Sequence, residues 1–155
     1  VTNFDVRFAD RSDLEDVRTA IASLLVELSG DVAWMMANFE STYQFLVSRH
    51  VGGVLVARES ESREIAGVLT YSKQAALRAG GQYCLIQELW VTSSWRSHGI
   101  GARLIKFLRD EAAPEISQFE VGLPGPGFPR RDATQAFYER LGFAVIGVRA
   151  QSRSG

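Results

Sequence analysis

Six residues of this chain, Arg96-Ser97-His98-Gly99-Ile100-Gly101, set a cation and two glycines between a hydrophobic run and an amphipathic one. The run before them, Tyr83 to Val91, has the β-branched and aromatic content of a buried strand. The run after them puts Ile100, Leu104 and Leu108 on one helical stripe, joined by Ile105 and Phe107. Arg103, Lys106, Arg109 and Asp110 fall mostly opposite. A strand that turns through glycines into a helix leaves N–H groups pointing out of the helix N-terminus. Those groups and the helix dipole favour an anion, typically a phosphate. Glycines there let a ligand approach the backbone. The alternative is a plain tight turn. Arg96 would add charge toward a phosphate, whereas Arg103 and Lys106 read more simply as a solvated helix face than as a second phosphate clamp.

A second chemical feature lies in the strand itself. Glu88 sits among Ile86, Leu89 and Trp90. A carboxylate there is costly to bury unless it is hydrogen-bonded, solvated from a cleft, or raised in pKa. Each of those suits a base acting on an ammonium directly or through water; the alternative is a solvent-facing, pair-forming glutamate. Strict strand alternation sends Gln87 to the opposite face. Cys84 has no activating His or Lys beside it and reads as a small core residue. His98 reads as a loop residue, His50 has no ligand-like partner, and no metal site is expected.

What is missing narrows the anion site. A Walker loop would end in Gly-Lys-Ser/Thr, but Ala102 and Arg103 follow Gly101. A dinucleotide fingerprint needs a small residue where Leu104 stands. The remaining pattern, Q/R-x-x-G-x-G/A after Leu89-Trp90-Val91, resembles the acyl-coenzyme A loop of the GNAT N-acetyltransferase superfamily. Ala136-Phe137-Tyr138-Glu139-Arg140-Leu141-Gly142-Phe143 is similar to a second motif of that family. The resemblance spans nearly the whole chain. It implies acetyl-CoA as co-substrate, held by the strand end Leu89-Trp90-Val91 and the loop Arg96, Ser97, His98, Gly99, Ile100, Gly101 and Ala102. The backbone of Leu89 and Val91 would pair with pantetheine, and the loop amides with the pyrophosphate. By the same resemblance Tyr138 stands where a tyrosine acid protonates the departing thiolate, and Thr134, one helical turn earlier, would line the same groove. One departure stands out: Arg131 occupies the place of a family asparagine, so Arg130 or Arg131 would serve the coenzyme differently.

The implied activity is direct transfer of an acetyl group to the primary amine of a small molecule or peptide, with Tyr138 and Glu88 as acid and base. A non-catalytic acyl-CoA sensor or degenerate domain, and an unrelated phosphate-binding module, are the competing readings. For the acceptor, Trp34, Phe39, Tyr43 and Tyr71 could form an aromatic wall and Glu27, Asp31 and Glu40 an attracting field, against the simpler reading of core and solvated surface.

Elements must position these groups. At 155 residues the chain suits one domain, residues 1–155, able to bury a core without staples. Its net charge of −1 gives no footprint for nucleic acid. A single cysteine fits a reducing compartment, and neither a signal sequence nor a membrane span is expected. These features predict a cytoplasmic monomer or homodimer. The hydropathy pattern reads β-α-α-β-β-β-α-β-α-β, a mixed α/β fold. It predicts strands at Asn3 to Ala9, Val54 to Arg58, Ile65 to Tyr71, Tyr83 to Val91, Ser117 to Val121 and Phe143 to Arg149. Ser12-x-x-Glu15 predicts a capping box, with Asp10 as rival, on a helix stopped by Gly30. A second helix is expected between Val32 and Arg49, and a last one capped by Asp132 and closed by Gly142. The family resemblance implies a sheet of about six to seven strands, splayed at the cofactor site and flanked by four helices.

Overall fold

Three apolar runs separated by polar or glycine-rich turns make the centre of the sheet. In the computed structural model, which describes residues 1–153, they are β2 (Gly52–Glu59), β3 (Ile65–Ala76) and β4 (Gly81–Val91). The turn into β4 uses Gly80 and Gly81, both at positive φ, which side chains rarely tolerate. The alternating run Phe4–Phe8 becomes β1 and pairs with β2. Phe119–Val121 becomes β5, parallel to β4, so the sheet order is β1-β2-β3-β4-β5 with every other pairing antiparallel. The mixed α/β architecture agrees with the sequence expectation, with five strands among the described residues rather than six or seven.

The sheet is covered on both faces. On one side α1 (Leu14–Glu27), α2 (Val32–Ala37) and α3 (Phe39–Val47) carry Val17, Ala20, Ile21 and Tyr43 onto Val54, Val56 and Val68. On the other, α4 (Ile100–Phe107) and α5 (Arg131–Arg140) bring Ile100, Leu104 and Tyr138 onto Leu55, Leu69 and Ile86. Gly67 of β3 lets α4 come this close, since a Cβ there would lie 2.9 Å from Ile100 Cγ2 and 3.1 Å from the Trp90 carbonyl.

Several local expectations change. Asp10, not Ser12, caps the first turn. It accepts from the Ser12 amide at 2.9 Å while Asp13 accepts from the Asp10 amide, because this box also lets Asp13 take Arg7 and Arg58. Beyond α1 the left-handed residue is Ser29, at φ 56. Gly30 donates back to the Leu25 carbonyl and leaves no room for a Cβ, which would sit 2.7 Å from Leu25 Cδ2. The expected second helix is two, broken at Asn38, with Asp31 capping the first through the Trp34 amide. Among the described residues there are thus five α-helices rather than four. Arg130, with no side-chain cap bond, starts α5 where Asp132 was expected; Gly142 ends it at φ 91. Phe143 to Arg149 forms no strand among the described residues. Val145, Ile146 and Val148 stand exposed there.

One irregularity matters for function. Thr70 pairs with Glu88, but its neighbour Tyr71 pairs with Ile86, so Gln87 is an extra residue in β4. Before this bulge Cys84 and Ile86 face α4; after it Leu89 and Val91 do, while Trp90 packs with the α1 cluster. A single inserted residue exchanges the faces of the strand.

Candidate functional site

β4 and β5 stay paired only from Cys84 to Ile86 on the β4 side, then diverge. The gap opens a cleft of about 590 Å³ whose walls are the second half of β4, the segment after β5 (Gly122, Leu123, Pro124), one face of α5, the glycine loop and the last turn of α1. The Thr92 amide donates to Ala66 of β3, which fixes the alternation of the ladder. Leu89 and Val91 therefore point their N–H and C=O groups away from β3, into the gap. The Val91 carbonyl accepts from Arg96 Nε at 3.1 Å.

At one end of the cleft is the glycine loop. Among the described residues, no backbone or side-chain acceptor takes the amides of Ser97, His98, Gly99, Ile100, Gly101 or Ala102, and the first bond of α4 runs from Arg103 to Gly99. The loop is held in this form by two left-handed residues, Ser97 at φ 67 and Gly99 at φ 76. Gly99 is needed for conformation, since a Cβ there would meet nothing. Gly101 is needed for space: a Cβ would lie 3.0 Å from the Phe137 ring of α5. Six unpaired donors in one loop cost free energy unless water or a ligand takes them.

Deeper in the cleft are Glu88 and Tyr138. The Glu88 amide donates to Thr70 Oγ1 at 3.1 Å, and its carboxylate has no partner among the described residues. It is partly open to the cleft yet surrounded mostly by protein, and this desolvation lifts its pKa to about 7. Tyr138 is 6% exposed, wedged edge-on between Phe137 and Phe143, and its hydroxyl also has no partner among the described residues. Burial raises its pKa above the ordinary phenol value, so it keeps its proton. Thr134 lines the same wall. The bulge brings Gln87 to the cleft as well, against the expectation from simple alternation; its Nε2 donates to Ser72 Oγ at 2.9 Å.

Of the residues singled out in the sequence, Glu88, Leu89, Trp90, Val91, Arg96, Ser97, Gly99, Ile100, Gly101, Ala102, Thr134 and Tyr138 all line this cleft. His98 does not. Its ring turns outward, with Nδ1 3.0 Å from the Arg96 carbonyl and an edge contact to Trp95. Arg130 borders the cleft, whereas Arg131 turns along its own helix to Gln135. The aromatic wall does not form. Tyr43 and Tyr71 are core, Trp34 is exposed away from the cleft beneath Arg153, and Phe39 stacks on Tyr43. Glu27 is at the cleft, but its charge is taken by Arg96 and Arg130 rather than offered to a cation. Leu24 and Leu28 also line the cleft, from the end of α1.

A family model described as Acetyltransferase (GNAT) domain matches residues 49–145, from before β2 to beyond α5. The chain belongs to the GNAT acetyltransferase family. No curated protein matches the sequence. Solved structures carry the same fold at low identity. A transcriptional regulator from Bacillus halodurans C-125 superposes with a TM-score of 0.78 at 19% identity, over 98% of this chain and 100% of that one. The ribosomal-protein-alanine N-acetyltransferase of Brucella melitensis biovar Abortus 2308 does so at 0.72 and 19%, over 99% and 100%. An aminoglycoside N-acetyltransferase in complex with CoA reaches 0.74 at 15%, over 99% and 96%. Among the described residues no helix of this GNAT chain is long and apolar enough to cross a membrane.

Proposed function

We propose that this chain is a single-domain, cytoplasmic N-acetyltransferase that moves an acetyl group from acetyl-CoA directly to the primary amine of a small molecule or peptide. One observation carries the reading: a continuous cleft connects the loop amides of Ser97, Gly99, Ile100, Gly101 and Ala102 with a carboxylate and a phenol, all without a partner among the described residues. The chemistry of the lining fits acetyl-CoA. The amides of Ser97 to Ala102, with Arg96 and Arg130, would take a diphosphate. The outward N–H and C=O groups of Leu89 and the N–H of Val91 would pair with the amides of a pantetheine arm. Leu123, Phe128 and Phe137 would bury its apolar parts.

Transfer then needs a neutral amine and a proton for the leaving thiolate. Glu88 suits the first task. With a pKa of about 7 it is ionised often enough to take a proton near neutral pH and is basic enough to do so directly or through one water. Tyr138 suits the second, since desolvation keeps it protonated and the same desolvation would raise the proton affinity of a thiolate beside it. Cys84 supports the direct route rather than an acyl-enzyme. It is buried in the sheet and its thiol is pushed up to about 12.

Titration with acetyl-CoA and with ATP, followed by an amine panel scored for free-thiol release, tests this reading. Binding of acetyl-CoA alone, and thiol release dependent on one class of amine, are expected. Binding without release on any amine would identify a sensor; preference for ATP would place the chain among other phosphate binders.

A further inference from the structure

The charged residues that line the cleft are Glu27, Glu88, Arg96, Arg130 and Arg140. The two carboxylates differ sharply. Among the described residues the Glu88 carboxylate has no side-chain partner, whereas Glu27 has two: Arg96 Nη2 donates to its Oε1 at 3.0 Å and Arg130 Nη2 to its Oε2 at 3.5 Å. These three residues are far apart in the chain and belong to three different parts of the cleft wall. Glu27 is the last residue of α1, Arg96 opens the glycine loop, and Arg130 is the residue on which α5 starts. Arg96 is oriented further by its bond to the Val91 carbonyl and by the Trp90 ring, 4.7 Å from its guanidinium carbon.

The cluster is poorly suited to hold the fold together. The side chains of Glu27, Arg96 and Arg130 are 31%, 25% and 48% exposed, a setting in which ion pairs contribute little to stability and exchange partners readily. It is well suited to occupy an anion site. A carboxylate presents two oxygens to two guanidinium groups much as a phosphate does. Glu27 reaches only the arginines. A diphosphate has enough oxygens to engage both arginines and the free amides of Ser97 to Ala102 at once, so it can outcompete the carboxylate. A ligand without phosphate engages neither group.

We propose that Glu27 is an internal competitor for the coenzyme's diphosphate. It holds Arg96 and Arg130 when no diphosphate is bound, yields them to the incoming carrier, and recovers them as the spent carrier leaves. This inference rests on the coenzyme reading of the cleft. Glu27 thereby weakens the hold on coenzyme A and speeds its release, without altering the pantetheine channel.

The test is calorimetric titration of the full chain with coenzyme A and with pantetheine, which lacks the diphosphate, together with the dissociation rate of coenzyme A. Glu27→Gln keeps the shape and removes the charge. It should bind coenzyme A three- to tenfold tighter and release it correspondingly more slowly, with pantetheine affinity unchanged. Asp31→Asn removes a nearby charge that pairs with Arg153 instead, and Asn still caps α2, so it should behave as wild type. In an Arg130→Met background the gain from Glu27→Gln should shrink. The proposal is overturned if Glu27→Gln leaves coenzyme A binding unchanged or weaker, if pantetheine gains equally, or if Asp31→Asn gains as much. Failure of the wild-type chain to bind coenzyme A at all would instead overturn the coenzyme reading, and this inference with it.

Discussion

A carboxyl group with a pKa of about 7 inside a cleft changes both catalysis and stability with pH. If Glu88 takes the proton of the acceptor, it must be ionised, so kcat/KM should rise with pH along a limb centred near 7. Glu88→Gln should lower the rate on the order of 10²-fold or more and flatten that limb; a pH–rate profile of the variant checks it, and an unaltered limb would remove Glu88 from the reaction. Stability responds in the opposite sense. The folded pKa lies above the ordinary 4.5. The contribution of protonated Glu88 is therefore complete below about pH 4.5 and lost as pH rises through 7. Glu88→Gln should raise the melting temperature at pH 8, by an amount corresponding to at most ~3 kcal/mol, and do little at pH 4. Tyr138 gives a simpler test. Its hydroxyl bonds nothing among the described residues, so Tyr138→Phe should leave folding and acetyl-CoA affinity nearly unchanged. Turnover should fall on the order of 10²-fold if the phenol is the acid. Steady-state kinetics beside calorimetry separates these two effects.

The glycine loop works as an element because α4 is pressed onto β3 through Gly67 and the loop is fixed between them and α5. Its two glycines fail differently when replaced. Gly99→Ala places a Cβ on a left-handed residue and should cost about 1 kcal/mol of stability, with no clash to relieve. Gly101→Ala keeps a helical backbone but puts a Cβ 3.0 Å from the Phe137 ring, one residue before Tyr138. Its expected signature is a loss of turnover larger than its loss of stability, because α5 must move to make room. Chemical denaturation and kinetics on the two variants compare these outcomes directly; equal behaviour would contradict the distinct roles given to the two positions.

At the scale of the molecule, the helical layer that carries Glu27 is anchored by one buried acid. Asp13 is 0% exposed and accepts from Arg7 at 2.8 Å and from Arg58 Nη2 at 2.7 Å, joining β1, the start of α1 and β2. Burial alone would raise its pKa, but the hydrogen bonds and charge of Arg7 and Arg58, with the Asp10 amide, hold it at about 2. A lowered folded pKa means stability that is present above the ordinary value of 3.8 and lost as pH falls toward 2. Asp13→Asn should destabilise the chain by about 3 kcal/mol at pH 7, since it removes the buried charge partner of Arg58 and leaves it only the half-exposed Asp16. The variant should also show a flatter loss of stability between pH 4 and pH 2 than wild type, measured by denaturation at each pH.

Much of this protein follows from local patterning alone. The strand before Arg96, the glycine pair, the amphipathic helix after it and the Phe137-Tyr138 segment are short-range signals, set by periodicity and by what glycine and a helix N-terminus do to a backbone. Of the coenzyme and catalytic residues they single out, all but His98 line the cleft, whereas the walls supplied by Leu24, Leu28 and the segment Gly122, Leu123 and Pro124 carry no such local signal. Other features needed the folded chain. The bulge at Gln87 has no sequence mark, because an inserted residue is visible only against a partner strand; yet it decides which side chains of β4 reach the cleft. The tie of Glu27 to Arg96 and Arg130 spans residues 69 and 103 positions apart. The withdrawal of Tyr43 and Tyr71 into the core and the absence of a ladder at Phe143 to Arg149 depend on which surfaces meet. Side-chain periodicity reports only that a residue faces inward; whether that interior is core or cleft is settled by the opposing element, and that is a property of the tertiary structure.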